Sequence, residues 1–287
     1  AFTQGRADQD VPLGMMLDHI AEIVRAVPDL PVNADFENAY ADAPEGVADN
    51  VRKCVATGVA GLSVEDATGR PSDPLYPLGL AVERIRAARA AIDETGSGVL
   101  LTGRAECFLT GHAEPLREAA KRIAAYAEAG ADVLYAPGPK TAAEMKEIVV
   151  AAGGKPVNIL VHGDFGLAAA DIAATGARRI SIGGALARAA WSAFIVATEK
   201  IAKRGDFSGF AGNGAKAARS GQGGSPRLLP SGRCSIVATP DRPSTAANRQ
   251  SIRTAARRKD PAARQLYQPR GLARPSRTCP VRSCAPE

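Results

Sequence analysis

The sequence predicts an α/β fold, a parallel sheet joined by helical crossovers and either open or closed into a barrel. Three observations predict it. Short apolar runs recur six times between Pro31 and Gly184, buried in character as parallel strands covered on both faces are. A helical stretch separates each run from the next. Charged residues gather at the C-terminal ends of the runs, the end at which a (β/α)8 barrel builds its site.

The first run, from Pro31 through Val32, Asn33 and Ala34, reaches Asp35 and Glu37. Side chains alternate along a strand, so these two carboxylates are expected on the same side. Carboxylates held close in a cleft repel, and a hard cation such as Mg2+ relieves that repulsion through oxygen ligands. The competing reading is an exposed acidic strand end with no role. A helix follows, with Pro44 early, Val47, Val51, Cys54 and Val55 on one face, and Gly58 at its end. The second run, Gly61 to Asp66, also ends in acids, Glu65 and Asp66. Leu80, Ile85, Ala88 and Ile92 mark the next helix. The third run, Val99 to Glu106, ends in Arg104 and Glu106. Pro115 to Ala129 reads as a helix stopped by Gly130, and Asp132 to Pro137 as the fourth strand. Thr141-Ala142-Ala143-Glu144 is a capping box that opens a helix with Met145, Ile148 and Val149 inward. The fifth run, Pro156 to His162, precedes a helix from Phe165 to Thr175. The sixth, Arg179 to Gly184, precedes one from Gly184 to Lys203.

Charge divides the chain. It carries 36 Lys+Arg against 30 Asp+Glu, a net +6. Residues 211–287 hold 15 of the bases and 3 of the acids, so residues 1–210 are net acidic. The expected organisation is a barrel-type domain over 1–210 and a basic, low-complexity, disordered tail over 211–287. Arg257-Arg258-Lys259 is the densest basic cluster, but Tyr267 is the tail's one aromatic, which argues against a nucleic-acid stacking platform. Five Cys, an odd number, without a signal-peptide pattern point to a reducing cytoplasm. Cys54 reads as core and Cys107 as a small wall residue near the site. His19, beside Asp18 on a helix, reads as surface. His162 ends a strand and is placed at the mouth. Gly183-Gly184 before a helix either cradles an anion on backbone N–H groups or makes a tight turn.

Together these residues resemble the isocitrate lyase and phosphoenolpyruvate mutase superfamily, from about Phe2 to Phe210. The family's Asp-x-Asp-x-Gly-Tyr-Gly strand is matched by Asp35-Phe36-Glu37-Asn38-Ala39-Tyr40-Ala41. Its Glu-Asp strand is matched by Glu65-Asp66, and its Ala-Arg-Thr-Asp strand by Gly103-Arg104-Ala105-Glu106. Gln4-Gly5-Arg6-Ala7-Asp8 is similar to the family's Asp-bearing loop, and Arg179 to Ala190 to its last strand and helix. The resemblance implies an α/β fold of the (β/α)8 TIM-barrel type. It also implies an Mg2+-dependent lyase, mutase or hydrolase acting on a C–C or P–C bond of a small 2-oxo or 2-hydroxy acid, and homo-oligomers in intact relatives. Asp35 is then the direct metal ligand, with Glu37 and Glu65 holding metal-bound waters. Arg104 and Glu106 are the catalytic candidates, Arg104 pairing with a substrate carboxylate in a forked contact. Asp8, Asn38, His162, Gly183 and Gly184 are the substrate-side candidates.

The sequence also departs from the family. The family's lyase lid carries Lys-(Lys/Arg)-Cys-Gly-His, whereas Ala67 to Pro77 holds no Cys, Lys or His, and a family glutamate is replaced by Pro137. The first two barrel strands and a Tyr-x-Ser-Gly loop are expected to be missing before Ala1. A catalytically inactive barrel remnant is therefore the alternative to an enzyme, and a basic-tailed nucleic-acid binder the third reading.

Overall fold

The computed structural model describes residues 5, 6 and 10–211. Asp8 and, apart from Ala211, the expected tail lie outside the described residues. The body alternates as the sequence requires. Helix α1 (Leu13–Ala26) leads into β1 (Asn33–Asp35), α2 (Pro44–Val55), β2 (Gly61–Glu65), α3 (Leu78–Thr95) and β3 (Leu100–Arg104). There follow α4 (Pro115–Glu128), β4 (Val133–Tyr135), α5 (Ala142–Ala151), β5 (Val157–Leu160), α6 (Ala169–Ala174), β6 (Arg179–Ser181) and α7 (Ala185–Arg204).

The sheet is six-stranded, in the order β1-β2-β3-β4-β5-β6, and every neighbouring pair is parallel. It curls as part of a (β/α) barrel, with β1 and β6 as its edges among the described residues. The register places Glu65 beside Arg104, and Arg104 beside Tyr135, so the charged strand ends fall on one rim.

The core lies between the sheet and helices α2 to α5. Val47, Val51 and Cys54 of α2, Leu62 of β2, Ile92 of α3, Leu101 of β3, Ile123 of α4 and Met145 of α5 are all fully buried. Local chemistry sets the helix ends. Pro44 supplies a preset φ at the first turn of α2. Gly96 ends α3 in the left-handed region at φ 61°, where a Cβ would be strained. The Thr141 capping box forms as the sequence predicts, with Thr141 accepting from the Glu144 N–H.

Two elements are shorter than the sequence suggests. Asp35 closes β1, and Glu37 lies beyond it. Helix α6 begins only at Ala169, because Asp164 accepts the Gly166 N–H at 2.9 Å and Gly166 sits at φ 68°, a local turn that competes with helix. Helix α7 buries only Ala197 and exposes Leu186, Trp191, Phe194, Ile195 and Val196. Among the described residues no helix is long and apolar enough to cross a membrane.

Candidate functional site

Three strand ends build the site. After β1 the chain turns sharply: Glu37, Ala39 and Tyr40 take positive φ values of 49°, 56° and 56°. Such a turn is costly for residues with a Cβ and must be held from outside. Arg84 of α3, 1% exposed, holds it by donating to the carbonyls of Asn38 at 2.6 Å, Asp42 at 3.0 Å and Ala41. Asn50 of α2 donates to the Ala39 carbonyl at 3.0 Å. The expected strand alternation is therefore not what brings Glu37 beside Asp35. This left-handed turn does, and both residues line the same cleft.

The end of β2 presents Glu65 to the cleft and Asp66 away from it, as neighbours on a strand must point. Asp66 enters the helix layer, 2% exposed, and accepts from Arg122 at 3.0 Å and from the Tyr126 hydroxyl, both on α4. Its other oxygen accepts the Glu106 N–H at 2.8 Å. This clamp ties the chain after β2 to the chain after β3 directly behind the site. Glu118, Arg122 and Tyr126 recur at helical spacing, which is the sequence signal for the clamp that the strand-end reading overlooked.

Arg104, at the end of β3, is the hub. Its Nη1 lies 3.0 Å from both Asp35 and Glu65, and its Nε donates to Glu106. Its guanidinium sits 5.2 Å from the Tyr135 ring centre. Glu65 and Glu106 are buried, while the Asp35 side chain is 70% exposed. Burial pushes the Glu65 carboxyl well above its ordinary range; Arg104 opposes this, and Glu106, Asp35 and Glu37 add to it. Glu106 rises for the same reason, burial outweighing Arg104. Burial works against the charge on Arg104, but Glu65, Glu106 and Asp35 outweigh it and raise its pKa. Burial pushes the Tyr135 hydroxyl up to about 12.

These groups border a cleft of about 610 Å³. His19 of α1 lines it as well, which corrects the surface reading: α1 folds over the β1 side of the cleft rather than away from it. Arg70, in the loop after β2, also faces it. Other candidates lie elsewhere. Asn38 does not line the cleft; its side chain accepts the Tyr40 N–H at 3.0 Å and shapes the turn. His162 stacks edge-on against Phe165 at 5.2 Å, beyond the end of β5 and off the cleft. Gly183, at φ 50°, and Gly184 form the tight turn from β6 into α7, also off the cleft. Cys107 does not line the cleft as the sequence suggested but is fully buried in the core, where burial with nearby Asp66 lifts its thiol to about 12.

Among the described residues no group of three or more His, Cys, Asp or Glu side chains is drawn together around a common point. The reason is visible: the Arg104 guanidinium stands between Asp35 and Glu65. The donor set nevertheless suits a hard cation. Asp35, Glu37, Glu65 and Glu106 offer only oxygen, and they share one cleft with the guanidinium groups of Arg104 and Arg70.

Known proteins with similar sequences and folds are named as lyases, a decarboxylase and a mutase. The chain is 30% identical to 2-methylisocitrate lyase of Escherichia coli (strain K12), over 42% of each chain. It is 32% identical to oxaloacetate decarboxylase of Rhodopseudomonas palustris (strain BisB18), over 50% of each. The chain thus spans about half the length of the curated relatives it matches. A solved structure of a protein from Burkholderia cenocepacia J2315, assigned as a lyase/mutase, matches at 43% identity and a TM-score of 0.68, covering 73% of this chain and 74% of that one. A solved 2,3-dimethylmalate lyase, of the PEP mutase/isocitrate lyase superfamily, matches at 27% identity and a TM-score of 0.63, covering 72% of each. The phosphoenolpyruvate phosphomutase family model matches residues 1–202, and with that match spanning the strand ends described above, the chain belongs to this family.

Proposed function

We propose that the cleft binds one divalent cation of the Mg2+ type and acts on a C–C or P–C bond of a small 2-oxo or 2-hydroxy acid. The observation that carries this reading is the charge imbalance at the rim: Asp35, Glu37, Glu65 and Glu106 face one cleft with two guanidinium groups, the largely enclosed Arg104 and the exposed Arg70. Burial pushes the Glu65 and Glu106 carboxyls up and neighbouring carboxylates add to it, a repulsion that a bound dication relieves. Asp35, Glu37 and Glu65 would hold the ion, directly or through water. Such an ion supplies Lewis-acid stabilisation of the enolate-like charge that develops as the bond breaks. Arg104 keeps Asp35, Glu65 and Glu106 in fixed positions and lends positive charge to the same end of the cleft. Glu106, whose carboxyl burial raises, is the group among the described residues suited to pass a proton to the carbon that carries the enolate-like charge once the bond has broken. Among the described residues no thiol is suited to that part, since burial lifts both Cys54 and Cys107 to about 12.

The names of the relatives, 2-methylisocitrate lyase and oxaloacetate decarboxylase, support a small-acid substrate. Free buried thiols at Cys54 and Cys107 fit a reducing, cytoplasmic setting. The test is release of pyruvate from oxaloacetate or phosphonopyruvate, compared with Mg2+ alone as the blank. Activity that depends on Mg2+ and disappears in Asp35→Asn supports the proposal, and activity indifferent to that change sinks it. A second reading, a catalytically inactive barrel remnant, is favoured by one observation: Arg104 already neutralises Asp35 and Glu65 at 3.0 Å. Absence of both metal binding and pyruvate release is the outcome that selects it.

A further inference from the structure

The turn that follows β1 has no glycine to ease it. None occurs between Asp35 and Glu45, yet Glu37, Ala39 and Tyr40 all take left-handed φ values. A Cβ disfavours that region, so the turn persists only while its surroundings hold it. Ala39 and Tyr40, consecutive residues both at φ 56°, form its centre. The Glu37 carbonyl accepts the Glu65 N–H at 3.0 Å, which ties the Glu37 main chain to β2 but leaves the direction of its side chain to the turn.

Arg84 brackets that centre. Its Nη2 donates to the Asn38 carbonyl at 2.6 Å on one side, and its Nη1 to the carbonyls of Ala41 and, at 3.0 Å, Asp42 on the other. The Tyr76 ring, its centre 3.9 Å from the guanidinium carbon, covers a face of the group. Arg84 is 1% exposed, and burial works against its charge. Among the described residues its hydrogen bonds go to carbonyls and not to a carboxylate; the Asp42 carboxylate pairs with Arg70 and Tyr76 instead. A guanidinium buried without an ionic partner weakens a fold unless its hydrogen bonds compensate. Here they do what only a planar fork can, reaching three carbonyls of one strained turn at once.

We propose that Arg84 is a positioning residue: it does not line the cleft, and by locking the left-handed turn it fixes the Glu37 carboxylate at the cation site. The proposal rests on the divalent-cation reading above. It separates two of the rim acids. Asp35 ends β1 and is placed by the sheet, whereas Glu37 lies beyond the strand and is placed by Arg84. Without Arg84, residues 37–40 are free to leave the left-handed region, and Glu37 loses its fixed aim. A ligand aimed before the ion arrives holds it more tightly than one that must be ordered on binding.

The test is Mn2+ titration of the full chain, followed by electron paramagnetic resonance, as a double-mutant cycle of Arg84→Gln and Glu37→Gln. Each single change is expected to weaken Mn2+ about tenfold. Glu37→Gln is expected to cost less than about twofold more once Arg84→Gln is present, because the two act as one unit. Asp35→Asn is expected to cost as much in Arg84→Gln as in wild type. Adding Ala39→Gly to Arg84→Gln is expected to recover part of the lost affinity, since glycine takes φ 56° without strain. Thermal melts check that each variant folds, and Arg84→Lys, which keeps the charge without the fork, carries the cycle if Arg84→Gln does not. Unchanged Mn2+ affinity in Arg84→Gln, or losses that simply multiply in the cycle, overturn the role of Arg84 while leaving the cation site standing. Failure of both Arg84 variants to fold, or a wild type indifferent to Glu37→Gln, does the same. A wild type that binds no Mn2+ overturns the cation site and this proposal with it.

Discussion

Three carboxylates on one guanidinium make Arg104 the residue on which the site turns. Its partners Glu65 and Glu106 are buried and bind protons more tightly in the folded chain than in the unfolded one. The linkage follows directly. A carboxyl whose folded pKa lies above its ordinary 4.5 adds stability that is fully present below that value and is lost as pH rises through the folded pKa. Glu65→Gln keeps the size and a hydrogen-bonding oxygen but removes the ionisation. Thermal melts from about pH 5 to about pH 8 are expected to fall less steeply for Glu65→Gln than for wild type; parallel curves would show that Glu65 does not titrate in this way. The opposite case lies behind the site. Arg122→Ala leaves Asp66 buried and without its cation, with an expected loss of about 3–5 kcal/mol in denaturant unfolding. Arg117→Ala, at the exposed pair with Glu114, should leave the same curve in place. A small loss in Arg122→Ala would mean that Tyr126 and the Glu106 N–H suffice to hold Asp66.

Elements carry the site because their ends coincide. Parallel strands of similar length bring Asp35, Glu65 and Arg104 to one rim, and this much was legible in the sequence from apolar runs ending in charge. The rest depended on turns and long-range packing. Glu37 reaches the cleft through a left-handed turn propped by Arg84, forty-odd residues away, a contact that no local pattern announces. Asp66 adjoins Glu65 in the sequence, but strand alternation sends adjacent residues to opposite faces and takes it behind the site. His19 and Arg70 come to the cleft from a helix and a loop whose placement only the folded chain shows. The Thr141 capping box, by contrast, was fully local and formed as read. Another contact between elements is testable by a single methyl group. Gly138, after β4, sits at φ 136°, and a Cβ there would lie 2.2 Å from the Phe108 Cβ. Gly138→Ala is expected to cost about 3 kcal/mol or more in unfolding free energy, through overpacking and backbone strain together. A variant as stable as wild type would show that the loops after β3 and β4 do not meet this closely.

At the scale of the whole molecule, the sheet curls without closing among the described residues, and charge rather than apolar burial dominates its rim. Trp191, the single tryptophan of the chain, lies on α7 and is 46% exposed, which makes it a reporter of that helix. Its fluorescence is expected to be readily quenched by acrylamide in dilute solution, and strong protection would show that the face bearing Trp191 is covered. A ligand that binds only the folded chain stabilises it by about 2.7 kcal/mol at one hundred times its Kd. Mg2+ is therefore expected to raise the melting temperature of wild type and to do so less in Asp35→Asn. The most direct test counts the ion itself. Mn2+, standing in for Mg2+, is titrated into wild type, Asp35→Asn and Glu65→Gln, with bound ion followed by electron paramagnetic resonance. The account expects one site per chain, competed by Mg2+ and weakened about tenfold or more in each variant. No bound ion, or equal binding in all three proteins, would contradict it.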